Sequence, residues 1–219
     1  MNQRVCAIIF AHNEEKTITD VVNVVQSFDL VQEVMVISDG STDETVVRAR
    51  QTGVTLFERK RQLGKGQALL YALTKTDADV LLILDANLVG LTTEHLEQIV
   101  SPVLSGARVM NVGVRSCGPM QKNVRRYLPL VSGQRALQRE VIEAIAPEYL
   151  QGRMVEVALN YCCRLNKLPY GSVVLTNLNS VSNVQKMGLF KGVIQYIRMA
   201  TEILQSHFAI RIANLLGKF

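Results

Sequence analysis

An apolar run that stops abruptly at an acidic turn constrains this chain most. Val34-Met35-Val36-Ile37 reads as a buried strand, Ser38-Asp39-Gly40-Ser41 ends it, and a helix is expected from about Thr42 or Asp43. The carboxylate of Asp39 is thereby placed at the C-terminal end of a strand, where open α/β sheets bind ligands. Asp39 and Asp43 both offer acceptors, and a nucleotide base presents N–H donors. The same residues also suit a plain turn and a helix cap.

The pattern has already occurred once. Val5-Cys6-Ala7-Ile8-Ile9-Phe10-Ala11 is an apolar strand, His12-Asn13-Glu14-Glu15 follows, and Ile18, Val21, Val22 and Val25 then recur at helical spacing. Two strand–acidic turn–helix units in the first fifty residues predict a parallel sheet with a polar crevice above its edge.

At 219 residues the chain is long enough for one well-buried domain. No apolar run reaches the roughly 20 residues that span a bilayer, and the first residues lack a signal-peptide layout. Cys6, Cys117, Cys162 and Cys163 show no ligand spacing. A reduced, cytoplasmic protein is the simplest expectation.

The net charge of +5 conceals an asymmetry. Residues 1–100 carry 9 Lys+Arg against 14 Asp+Glu, whereas residues 101–219 carry 15 against 5. Turn carboxylates in an acidic half suit base, ribose and metal recognition. A basic half suits phosphates or an anionic membrane surface, or is a solvated face. Nucleic acid is disfavoured: no aromatics interleave with the basic residues, and neither a zinc module nor a recognition-helix pattern is present.

Further along, Val54 to Phe57 is a third strand, and Leu63-Gly64-Lys65-Gly66 precedes a helix from Gln67 to Thr74. Glycines around a lysine let backbone and ammonium approach phosphate oxygens. The spacing is not that of a Walker A loop. Asp79 to Asp85 is the strongest strand and ends in Asp85-Ala86-Asn87, where two oxygen ligands two residues apart can hold a divalent cation. Thr92-Thr93-Glu94 caps a helix to about Ser105, and Val109 to Val114 is a strand. Arg115 to Pro129 is basic and acid-free, a loop or short helix over the site. A helix is expected from Ser132-Gly133 to about Ala146, another from Gln151-Gly152-Arg153 through Asn166, and a strand over Ser172 to Val181.

The last stretch, residues 189–219, places Val193, Ile197, Ala200, Leu204, Phe208, Ile212 and Leu215 at near-helical spacing. Such a helix packs on its own domain, on a second subunit or on a membrane. The division expected is a main domain over 1–188 and an amphipathic helix over 189–219.

Taken together, the motifs resemble the family 2 glycosyltransferases of GT-A fold. The matching residues are Ile8-Ile9-Phe10-Ala11-His12-Asn13-Glu14-Glu15, Ile37-Ser38-Asp39-Gly40-Ser41-Thr42-Asp43-Glu44-Thr45, Gly64-Lys65-Gly66 and Asp85-Ala86-Asn87, in the family's order. Ser132-Gly133-Gln134-Arg135-Ala136-Leu137 and Gly152-Arg153-Met154-Val155-Glu156 are similar to acceptor-side segments of polyprenyl-phosphate glycosyltransferases and glucosyl-3-phosphoglycerate synthases.

The resemblance implies an α/β fold: a Rossmann-like, mostly parallel central sheet flanked by helices, here with a long C-terminal helix. It implies that Ala11, Asn13, Glu15, Asp39, Lys65 and Asp85 bind the nucleotide of a UDP- or GDP-linked sugar. Asp85 and Asn87 would hold Mg²⁺ or Mn²⁺. Gly133, Gln134 and Arg135 would meet a small phosphorylated or polyprenyl-phosphate acceptor, and Glu156 and Asp85 would be catalytic. The family usually has a carboxylate where this chain has Asn87, and related enzymes carry a metal-binding histidine where Asn179-Ser180-Val181-Ser182-Asn183 has none. A weak metal site is therefore expected, or a site where Lys65 and Arg115–Arg126 stabilise the leaving diphosphate. The expected assembly is a homodimer through the C-terminal helix, with peripheral contact at the inner face of a membrane as the alternative. A non-catalytic nucleotide-sugar-binding protein is the rival reading. A nucleotidyltransferase is disfavoured, because no glycine-rich loop with a basic residue follows the first strand.

Overall fold

The computed structural model describes residues 3–116, 132–152 and 154–181, together with Thr201, Gln205, Phe208, Ile210, Arg211 and Ile212. The chain runs β1 (Val5–Ala11), α1 (Ile18–Gln26), β2 (Glu33–Asp39), α2 (Thr45–Gln51), β3 (Thr55–Arg59) and α3 (Lys65–Leu73). It continues through β4 (Val80–Asp85), β5 (Leu88–Val89), α4 (Thr93–Leu104), β6 (Met110–Arg115), β7 (Gln134–Gln138) and α5 (Arg139–Glu143). After a short 3₁₀ turn come α6 (Met154–Leu165), β8 (Tyr170–Leu175) and β9 (Asn179–Ser180).

Seven strands form one sheet in the order β3-β2-β1-β4-β7-β6-β8, and β5 pairs with β9 in a separate ribbon. All pairings in the large sheet are parallel except those of β7, which runs antiparallel to both β4 and β6. The mostly parallel sheet flanked by helices is the architecture expected. β1 and β4 are near-continuous apolar runs because helices cover both of their faces. Alternate residues feed two core layers. Cys6, Ile8, Leu81 and Ile83 lie in the layer with α3 and α6. Ala7, Ile9, Leu82 and Leu84 lie in the layer with α1 and α4. In α1 the buried residues are Ile18, Val21, Val22 and Val25, the apolar stripe seen in the sequence.

β2 and β3 extend from one side of β1, and β4 lies on the other. Strand order thus reverses between β1 and β4, which opens a crevice at their carboxyl ends. Ala11 ends β1 and Asp85 ends β4, with Phe10 and Asp85 in register. The crevice places the site.

One element differs in type from the sequence expectation. Residues 134–138 form a strand, not the start of a helix from Ser132 to Ala146; only Arg139–Glu143 is helical. β7 is inserted between β4 and β6, so both of its faces are buried: Ala136 belongs to one core layer and Leu137 to the other. A strand buried on both faces loses the alternation that would reveal it. The late strand is also split. Thr176 and Asn177 form a turn, Asn177 takes φ 64°, and the chain re-enters as β9 against β5.

At the C-terminal end Thr201, Gln205, Phe208, Ile210, Arg211 and Ile212 are helical. Ile210, outside the anticipated stripe, is the one buried in the core, whereas Phe208 is 64 % exposed and Ile212 is also exposed. The rest of 189–219, the segment Arg115–Arg126 beyond Ser116, and the position of Asn183 lie outside the described residues. Among the described residues no helix is long and apolar enough to cross a membrane.

Candidate active site

Lys65 is the first residue of α3, which begins after Gly64 at φ 89°. That backbone conformation suits glycine and aims the next residue into the crevice. The Lys65 ammonium donates to Asp85 Oδ1 at 2.7 Å and lies 3.5 Å from both Glu156 Oε1 and the Gly133 carbonyl. The other Asp85 oxygen, Oδ2, accepts from Gln134 Nε2 at 2.9 Å. The Gln134 carbonyl oxygen is in turn 3.0 Å from the Ser132 hydroxyl. Four elements therefore converge on the Lys65–Asp85 pair: the tip of β4, the start of α3, the entry to β7 and the first turn of α6.

Glu156 is buried, 6 % exposed. Its charge is balanced by Lys65 and, from behind, by Arg135. Arg135 was assigned to the acceptor on sequence, and the structure corrects this: it is 1 % exposed and points into the core. It donates to the Ser132 carbonyl at 2.6 Å, and its other terminal nitrogen rests 3.8 Å from Met110 Sδ. Its Nε has no hydrogen-bond partner among the described residues. Burial pushes the guanidinium below its usual value, and the nearby charges of Glu156 and Asp85 oppose that. Two cations and two anions thus lie close together, so deleting one leaves the partly buried cluster with an uncompensated charge.

Gly133 sits directly against this cluster. A Cβ there would fall 2.3 Å from Asp85 Oδ2 and 2.5 Å from Lys65 Nζ. Only glycine leaves room for the pair. Gly66 is similarly constrained from the other side of α3: a Cβ would lie 1.8 Å from the Leu150 carbonyl oxygen.

The loops after β1 and β2 form the adjoining part of the crevice and are laced together. Asn13, at φ 55°, accepts from the Thr42 amide at 2.8 Å. The Glu15 carboxylate accepts from the Glu44 amide at 3.2 Å, and its own amide donates to Asp43 Oδ2 at 3.3 Å. Partial burial pushes the Asp43 carboxyl up, and hydrogen bonds from Thr45 and Glu15 more than offset it, leaving it below the usual carboxylate value. Ala11 is buried at the β1 tip, beside Ser38 of β2. His12 Nδ1 lies 2.9 Å from the Asp39 carbonyl oxygen, which accepts from it.

Asp39 ends β2 as expected, but the residue is buried and its carboxylate is turned to the loop before α3. It accepts from the amides of Leu63 at 3.1 Å and Gly64 at 2.8 Å, with Arg59 at 3.5 Å. It thus holds the loop that presents Lys65. Arg59 lies outside every motif, so spacing alone carries no signal for it. Ser132 opens the acceptor-side segment, but nothing in the sequence assigns its hydroxyl a partner.

The residues at the β4 tip suit a hard divalent cation of the kind that takes few protein ligands. Asp85 supplies a carboxylate one third exposed (33 %), and Asn87 donates its amide hydrogen to the Val181 carbonyl at 3.5 Å, which turns the amide oxygen the other way. One carboxylate and one neutral oxygen fit an ion that completes its shell with water and substrate phosphates. No group of three or more His, Cys, Asp or Glu side chains poised for a metal exists among the described residues.

A mostly parallel sheet that gathers an acidic strand tip, a lysine at a helix start and a buried carboxylate at its switch point has the layout in which open α/β sheets bind ligands. Residues 6–160 match the model of the family described as Glycosyl transferase family 2, and the chain belongs to that family. The glucosyl-3-phosphoglycerate synthase of Mycobacterium tuberculosis is 29 % identical over 157 residues, covering 66 % of this chain and 48 % of that protein. That of Mycolicibacterium smegmatis is 31 % identical over 110 residues, 46 % of this chain and 36 % of that protein. The chain spans about half the length of the curated relatives it matches.

Solved structures agree in fold. The M. tuberculosis glucosyl-3-phosphoglycerate synthase with Mn²⁺, UDP-glucose and phosphoglyceric acid superposes with a TM-score of 0.78 at 23 % identity, over 94 % of this chain and 79 % of that one. The same enzyme with Mg²⁺ and UDP gives a TM-score of 0.70 at 25 % identity, over 83 % of this chain and 72 % of that one.

Proposed function

We propose that this chain transfers glucose from UDP-glucose to a small phosphorylated acceptor of the phosphoglycerate type. The carrying observation is the Lys65–Asp85–Glu156 cluster at the strand-order reversal, roofed by Gly133. The relatives and structural neighbours named above support donor and acceptor class, and the basic second half of the chain suits an anionic acceptor.

In this reading the uridine lies across Ala11, Asn13 and Glu15, and the diphosphate lies over Lys65. A divalent cation at Asp85 and Asn87 supplies positive charge to the leaving diphosphate when bound. The acceptor hydroxyl bonds the anomeric carbon as the bond to the diphosphate oxygen breaks. Glu156 is the base for the hydroxyl proton, and Lys65 neutralises charge gathering on the diphosphate. Gly133 and Gln134 form the acceptor-side wall.

The non-catalytic alternative is not favoured, because a pocket that only bound nucleotide has no use for a buried carboxylate beside the sugar position. The chain is further proposed to work in the cytoplasm as a homodimer, joined where Phe208 and Ile212 face outward. The test of function is transfer of labelled glucose from UDP-glucose to 3-phosphoglycerate, with Asp85→Asn as control. Product that depends on Asp85 supports the assignment. Glucose delivered only to a polyprenyl phosphate would redirect the acceptor, and binding of UDP-glucose without any transfer would favour the non-catalytic reading.

A further inference from the structure

The Lys65 ammonium and a divalent cation compete for the same carboxylate. Lys65 Nζ sits 2.7 Å from Asp85 Oδ1, and Gln134 Nε2 sits 2.9 Å from Oδ2, so nitrogen donors engage both oxygens of the one carboxylate that the described residues place at the β4 tip. The second oxygen donor there, Asn87, carries no charge to recruit a cation against that competition. The ammonium is also held from behind by Glu156 at 3.5 Å and by the Gly133 carbonyl at 3.5 Å.

We propose that Lys65 gates the metal: it keeps divalent cations off Asp85 until a nucleoside diphosphate draws the ammonium onto its phosphate oxygens. The inference rests on the proposed nucleotide-sugar function and adds an order of binding to it. A cation meeting the empty site must displace a unit charge at contact distance and gains only one carboxylate and one amide oxygen. A diphosphate changes both conditions. It offers the ammonium a better counter-ion, and it supplies the oxygens that the cation lacks. Linkage then makes the effect mutual: nucleotide tightens metal by the factor with which metal tightens nucleotide. Lys65 is in this respect a positioning residue for the cation, and its effect is read without turnover.

The experiment is titration of the full chain with Mn²⁺ alone, followed by electron paramagnetic resonance and calorimetry, and repeated with UDP. Wild type should bind Mn²⁺ weakly without UDP. Lys65→Met should bind Mn²⁺ alone at least about tenfold more tightly, while binding UDP less well. Its Mn²⁺–UDP coupling factor should shrink. Lys60→Met removes the same charge from the exposed loop before α3 and should leave metal affinity unchanged. Adding Asp85→Asn to Lys65→Met should abolish the gain.

Unchanged or weaker Mn²⁺ binding in Lys65→Met would overturn the gate. So would an equal gain in Lys60→Met, or a gain that survives loss of Asp85. Circular dichroism checks folding, and Lys65→Gln repeats the test without the charge should the methionine variant not fold. The metal-alone arm needs neither donor nor acceptor. If it succeeds while UDP fails to bind, the gate stands and the proposed donor falls; if UDP binds and the metal-alone arm fails, the reverse holds.

Discussion

Gly133 packs so closely on Asp85 that the methyl group of alanine would lie 2.3 Å from Oδ2. The atoms it would meet are the ends of two side chains, Asp85 and Lys65, and not backbone. The fold can therefore absorb the substitution by moving those ends apart, at the expense of their ion pair. Gly133→Ala should cost little stability and at least about tenfold in kcat/KM, equivalent to about 1.4 kcal/mol. Thermal melting alongside steady-state kinetics checks this. A large drop in melting temperature with unchanged kinetics in the surviving fraction would reverse the assignment.

Gly66 should show the opposite balance. Here a Cβ would meet the Leu150 carbonyl oxygen at 1.8 Å, and backbone cannot swing aside. Gly66→Ala should destabilise the domain by about 1–3 kcal/mol through overpacking. Chemical denaturation measures it, and a midpoint equal to wild type would show that α3 and the Leu150 turn can separate freely.

Asp39 illustrates how far the sequence could be read. Its place at a strand tip beside the nucleotide crevice was legible from the apolar run and the turn that stops it. The direction of its carboxylate was not, because that depends on the loop from Gln62 to Gly64 folding back from a different strand. The strands β1 and β4 were legible for the same reason as Asp39: long β-branched and leucine runs bounded by polar turns. Strand β7 was not, since burial on both faces erases its period, and its Gln-Arg-Ala-Leu-Gln composition favours a helix. Arg135 was misplaced with it. Once residues 134–138 alternate between faces, Gln134 reaches Asp85 and Arg135 must enter the core. Lys65 was identified from its flanking glycines, but its partner Glu156 lies 91 residues away. No local pattern connects them.

Asp39→Ala should therefore act through Lys65. Losing the acceptor for the Leu63 and Gly64 amides frees the loop and leaves Arg59 without its counter-ion. Affinity for UDP should fall at least about tenfold, with little change in the β1 side of the crevice. Calorimetry reads the affinity. Unchanged binding in a folded Asp39→Ala protein would remove Asp39 from any role in the site.

The buried thiols give a test of pH dependence. Burial pushes both Cys6 and Cys163 up to about 12 from an ordinary value of 9.0, and raises Cys162 as well. These thiols stay protonated in the folded protein at neutral pH and should resist a thiol reagent at pH 8 until the chain unfolds. Their folded values are raised, so their contribution to stability is full below pH 9 and is lost as pH rises from about 9 towards 12. Rapid labelling of Cys6 or Cys163 in the native protein, read by mass spectrometry, would contradict the packing of β1 and α6.

The most direct measurement of the central claim is UDP binding by calorimetry, with and without Mn²⁺, in wild type and in Asp85→Asn. A switch-point site built around Lys65 and Asp85 should bind UDP, should bind it more tightly with Mn²⁺, and should lose that enhancement in Asp85→Asn. Absence of UDP binding under both conditions, in a chain shown to be folded, would contradict the assignment of this crevice to a nucleotide sugar.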